Sequence, residues 1–83
     1  METRVAIISI IVENAEDSAI DALNSVLHDY AGYVIGRMGI PYRKKNINII
    51  SVAIDAPMDT INTLAGKLGR LPGISAKAVY SAQ

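Results

Sequence analysis

Residues 4–12, RVAIISIIV, and their echo at residues 47–56, INIISVAIDA, decide the fold. Both stretches are rich in β-branched residues and are too short for a buried helix, which is typical of central β-strands. Each stretch is followed by residues suited to a helix start and then by an amphipathic segment. The chain therefore repeats a strand-and-helix unit, which predicts a compact mixed fold.

Two helices are predicted from the spacing of apolar residues. Steps of three, four and three put those residues on one helical face in both segments. The two stripes are Ile20, Leu23, Leu27 and Tyr30, and then Ile61, Leu64, Leu68 and Leu71. Gly32 is predicted to end the first helix with a positive φ angle, and Pro57 to lie in the first turn of the second.

Two further strands complete the order of elements. Residues 33–40, YVIGRMGI, predict a strand that Pro41 ends or kinks, because proline cannot donate to a sheet ladder. Residues 42–46 form a polar connector, and residues 74–80 predict the last strand. The order βαββαβ predicts an α+β ferredoxin-like sandwich: an antiparallel four-stranded sheet with two helices on one face. We expect residues 1–83 to form this single domain.

The strands of such a sheet should alternate apolar and polar residues, because helices cover only one face. The two central strands are instead apolar on both faces. We assign the serine-containing face to the side away from the helices. Its large apolar members are Val5, Ile7, Ile11, Ile47 and Ile49. An exposed apolar patch of this kind marks an interface, so we expect a homo-oligomer, a dimer or a tetramer, assembled through these residues.

Composition excludes several classes of function. The chain has no cysteine, which removes disulfides, thiolate metal sites and cysteine nucleophiles. His28 is the only histidine, and a solvated position near a helix end is favoured over a metal or catalytic role. No catalytic residue, metal or cofactor is predicted, so we do not expect an enzyme. No stretch is long and apolar enough for a membrane span, and we expect a cytoplasmic protein.

One candidate ligand site lies where the first strand meets the first helix. Glu13, Asn14 and Ser18 occupy this junction. Backbone amides at a helix start can hold an anionic or amino-acid-like ligand. Ordinary helix capping by the same residues is the favoured alternative.

Two other features of the sequence call for an explanation. Arg37 and residues 43–45 form a short basic segment in a chain with eight basic and eight acidic residues. A solvated hairpin that protects an edge strand is favoured over phosphate contacts, so direct nucleic-acid binding is not expected.

Gly66 and Gly69 in the second helix each cost about 1 kcal/mol against alanine, which predicts a close approach to that backbone by a strand, a partner or a ligand.

Residues 55–74, DAPMDTINTLAGKLGRLPGI, resemble the second half of the iron-only hydrogenase system regulators. Residues 37–42, RMGIPY, agree with the first half of that family. The family is similar in fold to ACT domains and to the ligand-binding half of nickel-responsive repressors. The resemblance implies a cytoplasmic regulatory oligomer that responds to a small molecule. The nickel site of those repressors does not carry over, because His28 is the only candidate ligand of its type.

Two hypotheses follow from the sequence. The first is a non-catalytic regulatory domain, a transcriptional or hydrogenase-system regulator that senses a small molecule as a homo-oligomer. The alternative is a structural or protein-interaction module without a small ligand. In that case the apolar sheet face would serve assembly, and the charged hairpin would contact a partner.

Overall fold

The elements follow the predicted order in the computed structural model, which describes residues 2–82. The strands are β1 (Arg4–Glu13), β2 (Val34–Tyr42), β3 (Ile47–Ala56) and β4 (Ile74–Tyr80), and the helices are α1 (Asp17–Asp29) and α2 (Met58–Gly69). Short 3₁₀ helices at Ala31–Tyr33 and Arg43–Lys45 flank β2. The strands form one antiparallel sheet in the order β2-β3-β1-β4. The predicted α+β ferredoxin-like fold is confirmed.

The core lies between the helices and one face of the sheet. Strand side chains alternate between faces, so every second residue of β1 and β3 points towards the helices. The buried residues of these strands are Ala6, Ile8, Ile10, Val12, Ile50, Val52, Ile54 and Ala56. The helices contribute Ala19, Leu23, Leu27, Ile61, Leu64 and Leu68. The predicted stripes are confirmed at their centres, whereas Ile20, Tyr30 and Leu71 are only partly buried against this core.

Helix length bears on the expected absence of a membrane span. α1 has 13 residues and α2 has 12. Within residues 2–82, no helix combines the length and the apolar character needed to cross a bilayer.

The expected helix stop at Gly32 and the expected end of β2 at Pro41 are wrong. α1 ends at Asp29, and the chain passes through Gly32 in a 3₁₀ helix without a positive φ angle. Pro41 does not end β2, because the strand continues to Tyr42 and Pro41 pairs with Asn48 of β3. β2 is an edge strand, where a proline is tolerated because its missing donor faces solvent.

β4 is tied to both β1 and α2 by the side chain of Tyr80. The Tyr80 hydroxyl donates to Oδ1 of Asn62 in α2. The Arg4 guanidinium lies 5.5 Å from the centre of the Tyr80 ring, and Nη2 of Arg4 donates to the Ser81 carbonyl at 2.6 Å. α2 therefore sits over the β4 side of the sheet, where it makes most of its contacts with strands.

The turn from α2 to β4 requires a glycine. Gly73 has φ 75°, and a Cβ atom there would lie 2.7 Å from the carbonyl oxygen of Glu13. The Gly73 carbonyl in turn accepts a hydrogen bond from the Glu13 N–H at 2.7 Å. Both the backbone conformation and the close approach of two main chains exclude a side chain at this position.

The helical glycines differ from Gly73. A Cβ atom at Gly69 would have no neighbour within 4 Å outside its own helix, and one at Gly66 would meet only Nη2 of Arg70 at 3.9 Å. Within residues 2–82, no strand comes within 4 Å of a Cβ atom placed at Gly66 or Gly69, so a closely approaching strand does not explain these glycines.

We predict that Gly73→Ala lowers the free energy of unfolding by on the order of 2 kcal/mol or more, because a left-handed alanine is strained and its Cβ meets the Glu13 carbonyl. Gly69→Ala is the matched control and should raise stability by about 0.5 kcal/mol, since the site is open and helical. Urea denaturation followed by circular dichroism measures both. Equal effects of the two substitutions would contradict the proposed close approach at Gly73.

Candidate functional site

The side of the sheet opposite α1 and α2, called here the helix-free face, is broad and apolar. The strand register assigns to it Val5, Ile7, Ser9, Ile11 and Glu13 of β1, Gly36, Met38, Ile40 and Tyr42 of β2, Ile47, Ile49, Ser51, Ala53 and Asp55 of β3, and Ser75, Lys77 and Val79 of β4. Ile7 is 48% exposed and Ile49 is 40% exposed, whereas Ile8 and Val52 on the other face are fully buried. The serine-containing face therefore lies away from the helices, as the sequence predicted.

The centre of the helix-free face carries few polar groups. Ser9 and Ser51 are direct partners across β1 and β3, and large apolar side chains surround them. The charged members lie towards the margins, with Glu13 and Asp55 near opposite ends and Lys77 on the edge strand β4. An apolar centre with a charged margin is the usual anatomy of a protein interface.

β2 contributes to the helix-free face in a way that the sequence analysis missed. Met38 is 62% exposed, Ile40 is 51% exposed and Tyr42 is 43% exposed. Their spacing of two residues is a strand signal, but the glycines and proline between them obscure which side of the sheet each residue faces. The face is thus wider than the five residues that the sequence indicated.

A pocket of about 330 Å³ lies at the junction of β1 and α1, and we call it the turn pocket. Asn14 and Ser18 line it on one side, and Pro72 and Gly73 line it on the other. Of the three predicted ligand-binding residues, Glu13 is not part of the lining. Its backbone is engaged with Gly73, and its position in β1 assigns its side chain to the helix-free face.

Asn14 holds two turns together instead of capping α1. Asn14 and Asn46 have φ angles of 48° and 53°. The Asn14 N–H donates to the Asn46 carbonyl at 3.3 Å, and Nδ2 of Asn46 donates to Oδ1 of Asn14 at 3.0 Å. Glu16 occupies the cap position of α1, and no side chain there accepts from the helix amides. The capping hypothesis for this junction is therefore wrong.

The four cations of the predicted basic segment do not form one patch. Residues 43–45 lie in an exposed 3₁₀ helix at the tip of the β2–β3 hairpin. Arg37 pairs with Val52, which puts it on the helix side of β2. Arg43 follows Arg37 by six positions along the chain, a path of about 20 Å. The structure therefore divides the basic segment between two surfaces.

His28 lies exposed in the last turn of α1. Across residues 2–82, no group of three or more His, Cys, Asp or Glu side chains is arranged to hold a metal ion.

These observations define a small ferredoxin-like domain with a bare apolar sheet face. A family model described as "TM1266-like: Iron-only hydrogenase system regulator, putative" matches residues 4–78, so the chain belongs to this family. The uncharacterized protein TM1266 from Thermotoga maritima is 35% identical, with a TM-score of 0.91 over 95% of this chain and 98% of that chain. The predicted family is confirmed.

A more distant structural relative shares the fold alone. A formyltetrahydrofolate deformylase from Pseudomonas putida KT2440 matches with a TM-score of 0.66 at 15% identity. The match covers 95% of this chain and 29% of that chain. Comparison with curated proteins gives no significant match.

We predict that Asn14→Ala lowers the free energy of unfolding by about 1–2 kcal/mol, because it strains the left-handed backbone and removes the hydrogen bond from Asn46. Asn14→Gly keeps the backbone conformation and should cost less than the alanine substitution. Urea denaturation distinguishes them. If Asn14→Ala were more stable than Asn14→Gly, the left-handed conformation at this turn would be contradicted.

Proposed function

We propose that this chain is a non-catalytic regulator of the iron-only hydrogenase system that acts in the cytoplasm as a homo-oligomer and responds to a small molecule. The observation that carries the proposal is the helix-free face. The family description supports the process that is regulated. The oligomer is proposed to be a dimer or a tetramer.

Assembly through the helix-free face is supported by its exposed apolar side chains. Val5, Ile7, Met38, Ile40 and Ile49 are each between 40% and 62% exposed. Soluble monomers rarely expose a contiguous apolar patch of this breadth. Covering the exposed part of each large side chain contributes about 1 kcal/mol, so a second copy gains most when several are covered together. A twofold dimer is the simplest arrangement that covers the same face on both subunits.

The small-molecule response is proposed for the turn pocket. Its volume of about 330 Å³ is within the range of small-ligand sites. Asn14 and Ser18 line it beside the first turn of α1, where backbone amides have no partner within the helix. A thermal-shift screen against amino acids, nucleotides and metals tests this part. A stabilising ligand lost in Ser18→Ala would support it, and a negative result across the panel would contradict it.

A protein-interaction module without a small ligand is the second candidate. The exposed cationic tip at residues 43–45 favours it, because such a tip can dock on an acidic partner surface. The test is whether the wild-type chain retains a native partner that a variant with residues 43–45 changed to glutamine loses. That result would support this alternative if no ligand alters the interaction.

We predict that Ile7→Asp and Ile40→Asp each convert the oligomer to a monomer at micromolar concentration. The reason is that a carboxylate buried against a second copy loses its hydration without gaining a partner. Met58→Asp is the matched control, since Met58 is 42% exposed but lies at the start of α2. Light scattering coupled to size exclusion gives the mass of each variant.

The mass of the wild-type protein in solution tests the assembly itself. A monomeric wild type would contradict assembly directly. An oligomer unaffected by either face substitution would contradict this interface. Circular dichroism confirms that the variants remain folded, as expected for side chains that are about half exposed.

We further predict that deleting the gene in the native host alters the transcript level or the activity of the iron-only hydrogenase. The wild-type gene should restore the normal level, as should the gene for Met58→Asp. The gene for Ile7→Asp should not, because regulation is proposed to need the oligomer. Unchanged hydrogenase transcript and activity in the deletion strain would contradict the regulatory proposal.

A further inference from the structure

A groove runs between α1 and the edge strand β2, on the opposite side of the sheet from the helix-free face. Two adjoining pockets of about 320 and 310 Å³ form it, and Asn24 and Arg37 line both. We call it the α1–β2 groove. It shares no lining residue with the turn pocket.

The groove exists because β2 carries little covering structure. Along β2, only Val34 is partly buried, and every other residue is exposed. Gly39 and Pro41 face the helix side, where they leave space over Ile50. A Cβ atom at Gly39 would have a single neighbour within 4 Å, the Cγ1 atom of Ile50 at 3.9 Å. A larger side chain at Gly39 would therefore enter the groove without meeting the backbone.

The groove combines an apolar floor with polar and basic residues and has no acidic lining residue. Its floor includes the buried apolar side chains of Leu23, Leu27 and Val52. The polar residues that line it are Arg37, Asn24, Asn48 and His28, and neither pocket is lined by Asp or Glu. A guanidinium binds a carboxylate through two parallel hydrogen bonds, and side-chain amides can donate further ones.

We propose that the α1–β2 groove binds a small carboxylate with an apolar body. The carboxylate pairs with Arg37, and Asn24 or Asn48 donates to it. The apolar body covers Leu23 and Ile50. One chain forms the whole groove, so this site does not depend on the proposed assembly, and the two proposals can fail separately.

The test is a titration of the ¹⁵N-labelled protein with 4-methylpentanoate, followed by amide chemical shifts. We expect saturable shifts at Asn24, Arg37, Gly39 and Asn48, with a dissociation constant of about millimolar magnitude for so small a probe. The neutral analogue 4-methylpentanamide should bind about tenfold more weakly, because it lacks the charge that pairs with Arg37. Absence of shifts up to about 10 mM would overturn the proposal.

Matched variants assign the binding to the groove. Arg37→Gln should weaken binding about tenfold, whereas Arg43→Gln removes the same charge from the exposed hairpin and should leave it unchanged. Gly39→Val should abolish binding by filling the groove while the protein remains folded. Equal weakening by both arginine variants would overturn the proposal, as would shifts confined to Asn14 and Ser18. The arginine pair decides the question even if Gly39→Val does not fold.

Discussion

Two helices of 13 and 12 residues must cover a four-stranded sheet whose central strands are apolar on both faces. The sheet is about 19 Å wide, and two helices side by side span about 20 Å, so together they can cover one face and nothing more. α2 is held over β4 through Asn62 and Tyr80. The helix layer is therefore displaced towards one edge, and β2 at the other edge stays exposed. The helix-free face follows from this limit on coverage, and the α1–β2 groove follows from the displacement of the helix layer.

The sequence predicts the parts of the fold that local pattern controls. β1, β3 and the centres of both helices follow from β-branched runs and apolar spacing, because burial demands those patterns wherever the elements sit. The extent of β2 is different. Pro41 within β2 is acceptable only because that strand is at the edge of the sheet, and strand order is a tertiary property. The end of α1 also depends on context, since a 3₁₀ helix replaced the glycine stop expected at Gly32.

The candidate sites show the same division. The helix-free face could be predicted from β1 and β3, because two apolar faces on one strand cannot both meet the helices. That Met38 and Ile40 also belong to this face follows only from the register of β2, which its glycines obscure in the sequence. The junction at Asn14 could not be assigned, because an asparagine side chain serves a helix cap or a second turn equally well, and its partner Asn46 is 32 residues away. The α1–β2 groove has no sequence signature, since it depends on where the helix layer sits.

Glu13 lies between the turn pocket and the helix-free face. The Glu13 N–H donates to the carbonyl of Gly73, which lines the turn pocket. The side-chain position of Glu13 belongs to the helix-free face. The Gly73 turn has no room for a side chain, because a Cβ atom there would lie 2.7 Å from the Glu13 carbonyl oxygen. A displacement of the α2–β4 turn would strain the hydrogen bond from the Glu13 N–H at the end of β1. Packed contacts of this kind pass a local change on as a shift of the neighbouring element. In the proposed regulator, a ligand that moves the turn at Gly73 would alter the margin of the surface through which two copies associate.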